Sequence, residues 1–237
     1  MVLAILQART SSARLPGKVL SPILGVPLIL RALERIARSQ RIDAIVLATS
    51  TDRSDDLLAE TVADAGYRVH RGPLDDVLTR FIQVISGEDD SEAIVRLTGD
   101  NALCDPSVID DVIDAHERSG ADYTANTLER SYPRGLDVEV IRAAALREAD
   151  RISNAPDERE HVTLGIYRRP DVFALHSVTQ PQNRSDLRWT VDYPADLEFA
   201  RGIYERLYDQ QPAFGQAEVL ALLEENPELV RRESDQG

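Results

Sequence analysis

Short apolar runs alternate with amphipathic stretches as far as residue 97, and this alternation constrains the fold more than any other feature of the chain. Residues 2–6, 43–48, 67–70 and 93–97 have the length and composition of buried strands. Between them, a helical pattern starting at Pro27 puts Leu30, Leu33, Ile36 and Ala37 on one face. A second runs over 52–65 and is closed by Gly66, and a third over 73–85 closes near Gly87. Strands that are apolar on both faces need helices above and below them. The expected class is α/β, with a mostly parallel sheet and helices on both faces.

Beyond Asp105 the pattern loosens. Pro106 is suited to the first position of a helix whose inward residues are Val108, Ile109, Val112 and Ile113. Residues 121–125 and 136–141 read as strands, separated by the turn-rich segment NTLERSYPRG. In GLDVEVI the two-residue repeat puts Asp137 and Glu139 on one face and Val138 and Val140 on the other. A helix over 194–207 and an amphipathic stretch over 213–230 follow, and RRESDQG reads as a frayed end.

With 27 Lys and Arg against 41 Asp and Glu, the net charge of −14 opposes an extended nucleic-acid or anionic-membrane surface. A few cations focused in a cleft still suffice for a small anion. The single cysteine, Cys104, rules out an intrachain disulfide and a thiolate-rich metal site, and is expected to pack as a small apolar residue. The four His residues lack H-E-x-x-H spacing. No stretch is long and apolar enough to cross a bilayer, and a cytoplasmic location is expected.

The first apolar run leads into QARTSSARLPGKVL, where Arg9, Arg14 and Lys18 gather in one loop. Ligands of open α/β sheets bind outside the carboxyl ends of the strands, where this loop begins. Ser11 and Ser12 are small enough for backbone amides to approach an anion, Arg14 offers a fork of donors and Lys18 a compact charge. Polyphosphate is the economical ligand; solvated surface cations are the alternative. Val19 after Lys18 and Pro16 in the turn break the P-loop pattern, and no G-x-G-x-x-G spacing occurs. Asp100 after AIVRLTG and Asp192 in RWTVDYP end two apolar runs, each suited either to a cation or to a turn or helix cap.

The segment ARTSSARLPGKVL resembles the amino-terminal signature of the cytidylyltransferases that include CMP-sugar-acid synthetases and spore-coat polysaccharide biosynthesis proteins. RLTGD, RGPLDDVLTRF, GLDVEVI, EREHVT and WTVDYPADLEF extend the resemblance over about residues 1–209. It implies a Rossmann-like nucleotide-diphospho-sugar transferase fold in one domain, with an acceptor-side insertion at about 120–190, while 210–237 forms a helical extension and tail. It further implies that Arg9, Ser11, Ser12, Arg14, Lys18 and Arg71 contact CTP. Asp100 and Asp192 would hold Mg²⁺, and Arg14 and Lys18 would join them in catalysis, with Asp196 and Glu198 secondary. Asp137, Glu139, Glu160 and His161 are the acceptor-side candidates; Tyr132, Arg134 and Trp189 are further cleft candidates. Two departures stand out: Ser11 replaces a frequent Gly, and GDNALCDP replaces G-D-C-P-L-I-D-P.

The implied reaction is transfer of CMP from CTP to a sugar acid or related phosphorylated precursor, releasing pyrophosphate, in surface-polysaccharide biosynthesis. The implied partners are the nucleotide, a small anionic sugar-related acceptor and a second copy of the chain. A metal-dependent glycosyltransferase is the enzymatic alternative, although no D-x-D motif supports it. A catalytically inactive nucleotide-binding regulatory or assembly subunit is the non-enzymatic one.

Overall fold

The computed structural model describes residues 1–235; Gln236 and Gly237, the end of the RRESDQG tail, lie outside the described residues. Strand β1 (Val2–Gln7) enters the centre of the molecule. The chain then makes a small antiparallel pair, β2 (Pro22–Ile23) with β3 (Val26–Pro27), before helix α1 (Leu28–Ile36). Next come β4 (Ala44–Ser50), α2 (Asp56–Asp64), β5 (Arg68–Gly72), α3 (Val77–Val84) and β6 (Ala93–Thr98). The second half adds α4 (Pro106–Ser119), β7 (Tyr123–Ala125), β8 (Glu139–Arg142), α5 (Ala143–Ile152), α6 (Pro156–Glu160) and α7 (Leu164–Tyr167). Strand β9 (Leu175–Ser177), α8 (Pro194–Leu207) and α9 (Gln216–Glu225) complete the chain.

The main sheet has the order β5-β4-β1-β6-β8-β7-β9. Every neighbouring pair is parallel except those made by β8, which runs antiparallel to β6 and β7. From β1 the chain steps outward to β4 and β5, then crosses back to lay β6 on the other side of β1. That reversal opens a crevice at the carboxyl ends of β1 and β6, the place where such sheets bind ligands. This is the mostly parallel sheet that the alternation predicts, in the Rossmann-like form that the resemblance implies.

The two-residue strand repeat divides the core. Ala4, Leu6, Val95 and Leu97 face α1, α4, α8 and α9, whereas Leu3, Ile5, Ile94 and Ile141 face α3, α5 and α7. Each fully buried aliphatic side chain contributes about 1.5–3 kcal/mol, so both layers are needed to hold the central strands.

Several boundaries differ from the sequence pattern for identifiable reasons. Helix α3 starts at Val77 rather than Pro73 because the Asp76 carboxylate accepts from the Thr79 amide at 2.9 Å and caps it. The stretch read as a helix from residue 52 begins as a short 3₁₀ turn, Arg53–Asp55, with Asp52 capping it. Strand β8 is shorter than 136–141 because the Asn126 side chain takes over two backbone groups, donating to Leu136 O at 2.7 Å and accepting from Val138 N at 2.9 Å. At the end of the chain, Phe214, Val219 and Leu223 pack into the same core as Tyr204. The tail is not frayed over its described part: Glu233–Asp235 form a 3₁₀ turn and Arg231 bonds Asp196 at 3.2 Å.

Candidate active site

The loop after β1 is fastened at both ends. At its start the Asp55 carboxylate accepts from Thr10 N at 2.7 Å and Thr10 Oγ1 at 2.8 Å, and from the Ser50 hydroxyl. Burial alone would raise the Asp55 pKa, but the bonds from Ser50 and Thr10 hold it below the ordinary value. At the far end Gly17 takes a left-handed φ of 71° and turns the chain into the short helix Lys18–Leu20. Lys18 is 7% exposed, and its Nζ donates to Asp100 Oδ2 at 2.8 Å, Asp192 Oδ1 at 2.8 Å and Val191 O at 2.7 Å.

The two acidic strand ends therefore meet. Asp100 follows β6 through Gly99, where a Cβ would stand 2.7 Å from Ala8 Cβ, so only glycine lets β6 exit beneath the loop. Val191 N donates to Asp100 O at 2.9 Å, and that one backbone bond sets Asp192 beside Asp100. Arg14 reaches Asp192 Oδ1 at 2.7 Å with its guanidinium 5.3 Å from the centre of the Tyr193 ring. Burial pushes the Asp192 carboxyl up, but Lys18 and then Arg14 outweigh it and bring the pKa down to about 2.

A cavity of about 520 Å³ lies over this cluster, lined by Arg9, Ser11, Ser12, Arg14, Lys18, Asp100 and Asp192. Arg9 pairs with Glu160 at 3.2 Å, which brings α6 against the loop. His161 lines this cavity and a second one of about 380 Å³ that includes Asp137, Glu139, Arg130 and Tyr167. In the second cavity Arg130 pairs with Asp137 at 2.5 Å and Arg96 with Glu139. Arg96 also donates to Gln7 Oε1 at 3.1 Å, and Tyr123 donates to Glu139 at 2.8 Å. A polar chain from Gln7 to Tyr123 thus links the linings of the two cavities.

Arg71 is not brought to either lining. Its guanidinium is bound to Ser50 O at 2.8 Å, Asp52 O at 3.0 Å and Asp56 at 2.7 Å. Tyr132 lines a separate cavity beside α9, Arg134 pairs with Glu233, and Trp189 is buried in the core. Asp196 bonds the amides of Asp192 and Tyr193, both at 3.0 Å, while Glu198 pairs with Arg201 on α8. Cys104 is buried and its thiol pKa is pushed up to about 11 by burial, which disfavours a nucleophilic thiolate. The sequence reading missed Arg188, whose signal is a charged residue inside the mostly apolar run LRWTV.

Among the described residues, no group of three or more His, Cys, Asp or Glu converges into a metal cage. The arrangement of Asp100 and Asp192 nonetheless fits Mg²⁺. That ion is bound by one or two carboxylates together with substrate phosphates and water, and the two carboxylates already share one cationic partner.

The cytidylyltransferase profile matches residues 3–225. This chain belongs to the cytidylyltransferase family. It is 36% identical over 242 aligned positions to the spore coat polysaccharide biosynthesis protein SpsF of Bacillus subtilis, covering 99% of each chain. It is 30% identical to the 3-deoxy-manno-octulosonate cytidylyltransferase of Geobacter metallireducens, covering 73% of this chain and 77% of that one. Among solved structures, a cytidylyltransferase from Leptospira borgpetersenii superposes with a TM-score of 0.91 at 26% identity, covering 100% of this chain and 98% of the other.

Proposed function

We propose that the protein transfers CMP from CTP to an acidic sugar precursor and releases pyrophosphate, activating a building block of a surface polysaccharide. The observation that carries this reading is the convergence of Asp100, Asp192 and Lys18 at the crevice beside the loop that bears Arg14. Such a site suits a polyanion that arrives with a divalent cation. An acceptor oxygen attacks the α-phosphorus, the bond to the bridging oxygen breaks and pyrophosphate leaves. Asp100 and Asp192 would hold Mg²⁺, which neutralises the phosphates and polarises the α-phosphoryl group. Arg14 supplies donors to the triphosphate, the charge that develops on the leaving group and the product pyrophosphate, and Lys18 adds its positive charge and, once Mg²⁺ takes over the carboxylates, the donors they release.

The second cavity takes the acceptor. Asp137 and Glu139 offer carboxylate oxygens to sugar hydroxyls, and His161, on the wall common to both cavities, lies where acceptor and nucleotide meet. Holding both reactants in adjoining cavities removes much of the entropic barrier to their encounter.

Incubating the protein with Mg²⁺, each nucleoside triphosphate in turn and a bacterial metabolite extract tests the reading. The expected result is a new conjugate heavier than its acceptor by a cytidylyl group, formed only with CTP and accompanied by pyrophosphate. Absence of any nucleotidyl conjugate, or release of a free nucleotide from a nucleotide-sugar donor, would replace this proposal.

A further inference from the structure

Asp192 is held from two sides. Its Oδ1 takes both cleft cations, Lys18 at 2.8 Å and Arg14 at 2.7 Å. Its Oδ2 is engaged from beneath by Arg188 Nη2 at 2.9 Å. Arg188 is 2% exposed and makes further bonds to Asp196, 1% exposed, at 3.3 Å and to Glu233 at 3.2 Å. The carboxyl-terminal segment completes the arrangement. Arg231 donates to Asp196 at 3.2 Å, Arg231 O accepts from Arg188 N at 2.9 Å, Leu187 bridges to Arg232, and Arg134 pairs with Glu233. Three cations, Arg134, Arg188 and Arg231, thus face three carboxylates, Asp192, Asp196 and Glu233.

We propose that Arg188 is a positioning residue: by occupying Oδ2 of Asp192 it leaves Oδ1 as that carboxylate's donor to the cleft, and segment 231–235 holds Arg188 in place. This rests on the cytidylyltransfer reading given above. A carboxylate bound through one oxygen only can rotate. A planar guanidinium that reaches Asp192, Asp196 and Glu233 through separate nitrogens in one fixed fork prevents this, whereas a lysine ammonium, with its donors on a single nitrogen, cannot hold all three in that geometry. The carboxyl-terminal segment, remote in sequence from the loop and strand ends, then belongs to the construction of the site.

The test is carried out on full-length variants Arg188→Lys, Arg188→Ala, Arg231→Gln and Glu233→Gln. Manganese binding in the presence of CTP is followed by electron paramagnetic resonance, alongside kcat, the KM for CTP and thermal melting. Loss of a group that orients a metal ligand costs about 10–100-fold in metal affinity or activity. Arg188→Lys is expected to weaken Mn²⁺ binding and lower kcat by about that factor, with the KM for CTP little changed. Arg231→Gln and Glu233→Gln should shift both in the same direction by less. Added guanidinium should restore kcat to Arg188→Ala; if that variant does not fold, Arg188→Lys and Glu233→Gln carry the test. Wild-type Mn²⁺ affinity and kcat in Arg188→Lys, with only the melting temperature lowered, would overturn the proposal. If the wild type binds Mn²⁺ with CTP yet makes no nucleotidyl product, the transfer reading fails while the affinity series still decides the role of Arg188. If it binds no Mn²⁺ with CTP, both fall.

Discussion

In the cleft at the carboxyl end of β1, Lys18 serves Asp100 and Asp192 together and Arg14 joins the second of them. In the neighbouring cavity each arginine has its own carboxylate, Arg96 with Glu139 and Arg130 with Asp137. The first arrangement shares charge among segments distant in sequence, so an incoming polyanion and divalent cation can exchange for contacts already there. Both sets balance two cations against two carboxylates, but in the second the pairs are separate and fixed, a lining suited to selection by hydrogen-bond geometry. On the proposed function, this difference would separate recognition of phosphate from recognition of the acceptor, although the cavities share His161.

The largest effect expected from breaking this division is at the shared cluster. Asp100→Asn should lower kcat about a thousandfold while circular dichroism and melting show a folded protein; preserved turnover would remove Asp100 from the site. Lys18→Met should reduce kcat/KM for CTP about a hundredfold, read by pyrophosphate release at varied CTP.

Acid titration sharpens the same contrast. The folded pKa of Asp192, about 2, lies below its reference value of 3.8. Its contribution is therefore complete above 3.8 and is lost as pH falls from 3.8 toward 2. That contribution is roughly 2 kcal/mol, so urea unfolding should show Asp192→Asn less stable than wild type at neutral pH, with the gap closing in acid. The smallest effect belongs to the acceptor cavity. Arg130→Gln removes a partly exposed pair worth about 1 kcal/mol or less, and should raise the KM for the acceptor severalfold while leaving the KM for CTP unchanged. An equal rise in both constants would show that the two cavities do not act separately.

Much of the first region was legible because its signals are local. The apolar period, the cations of ARTSSARLPGK and the acidic ends of RLTGD and RWTVD each lie within a few residues. Their convergence was implied by the family resemblance but not legible in the residues and their spacing, because it depends on the bond from Val191 N to Asp100 O and on strand order. Arg188 escaped for a similar reason: its partners lie in α8 and in the tail, and an arginine in an apolar run looks like a flaw until those partners are placed. Strand β9 was missed because its three residues are only partly buried and take their register from β7. Arg71 shows the converse, a suggestive position whose Nε and Nη2 bond Ser50, Asp52 and Asp56 outside both cavity linings.

The fastening of the loop at Thr10 and Lys18 also has a dynamic consequence. Ser12 N and Gly17 N both bond Thr10 O at 2.9 Å, so the span between them closes on itself as a small ring whose perimeter is set by buried groups. Motion is then confined to the crown of the ring. Amide hydrogen exchange should be slow at Thr10, whose N–H is held by the buried Asp55, and fast at Leu15, whose N–H donates to Ser12 Oγ at 3.4 Å. On the proposed function, a crown that breathes while its roots stay fixed would admit and release nucleotide without dismantling the carboxylate pair below it, and the energetic cost of each turnover would fall outside the core.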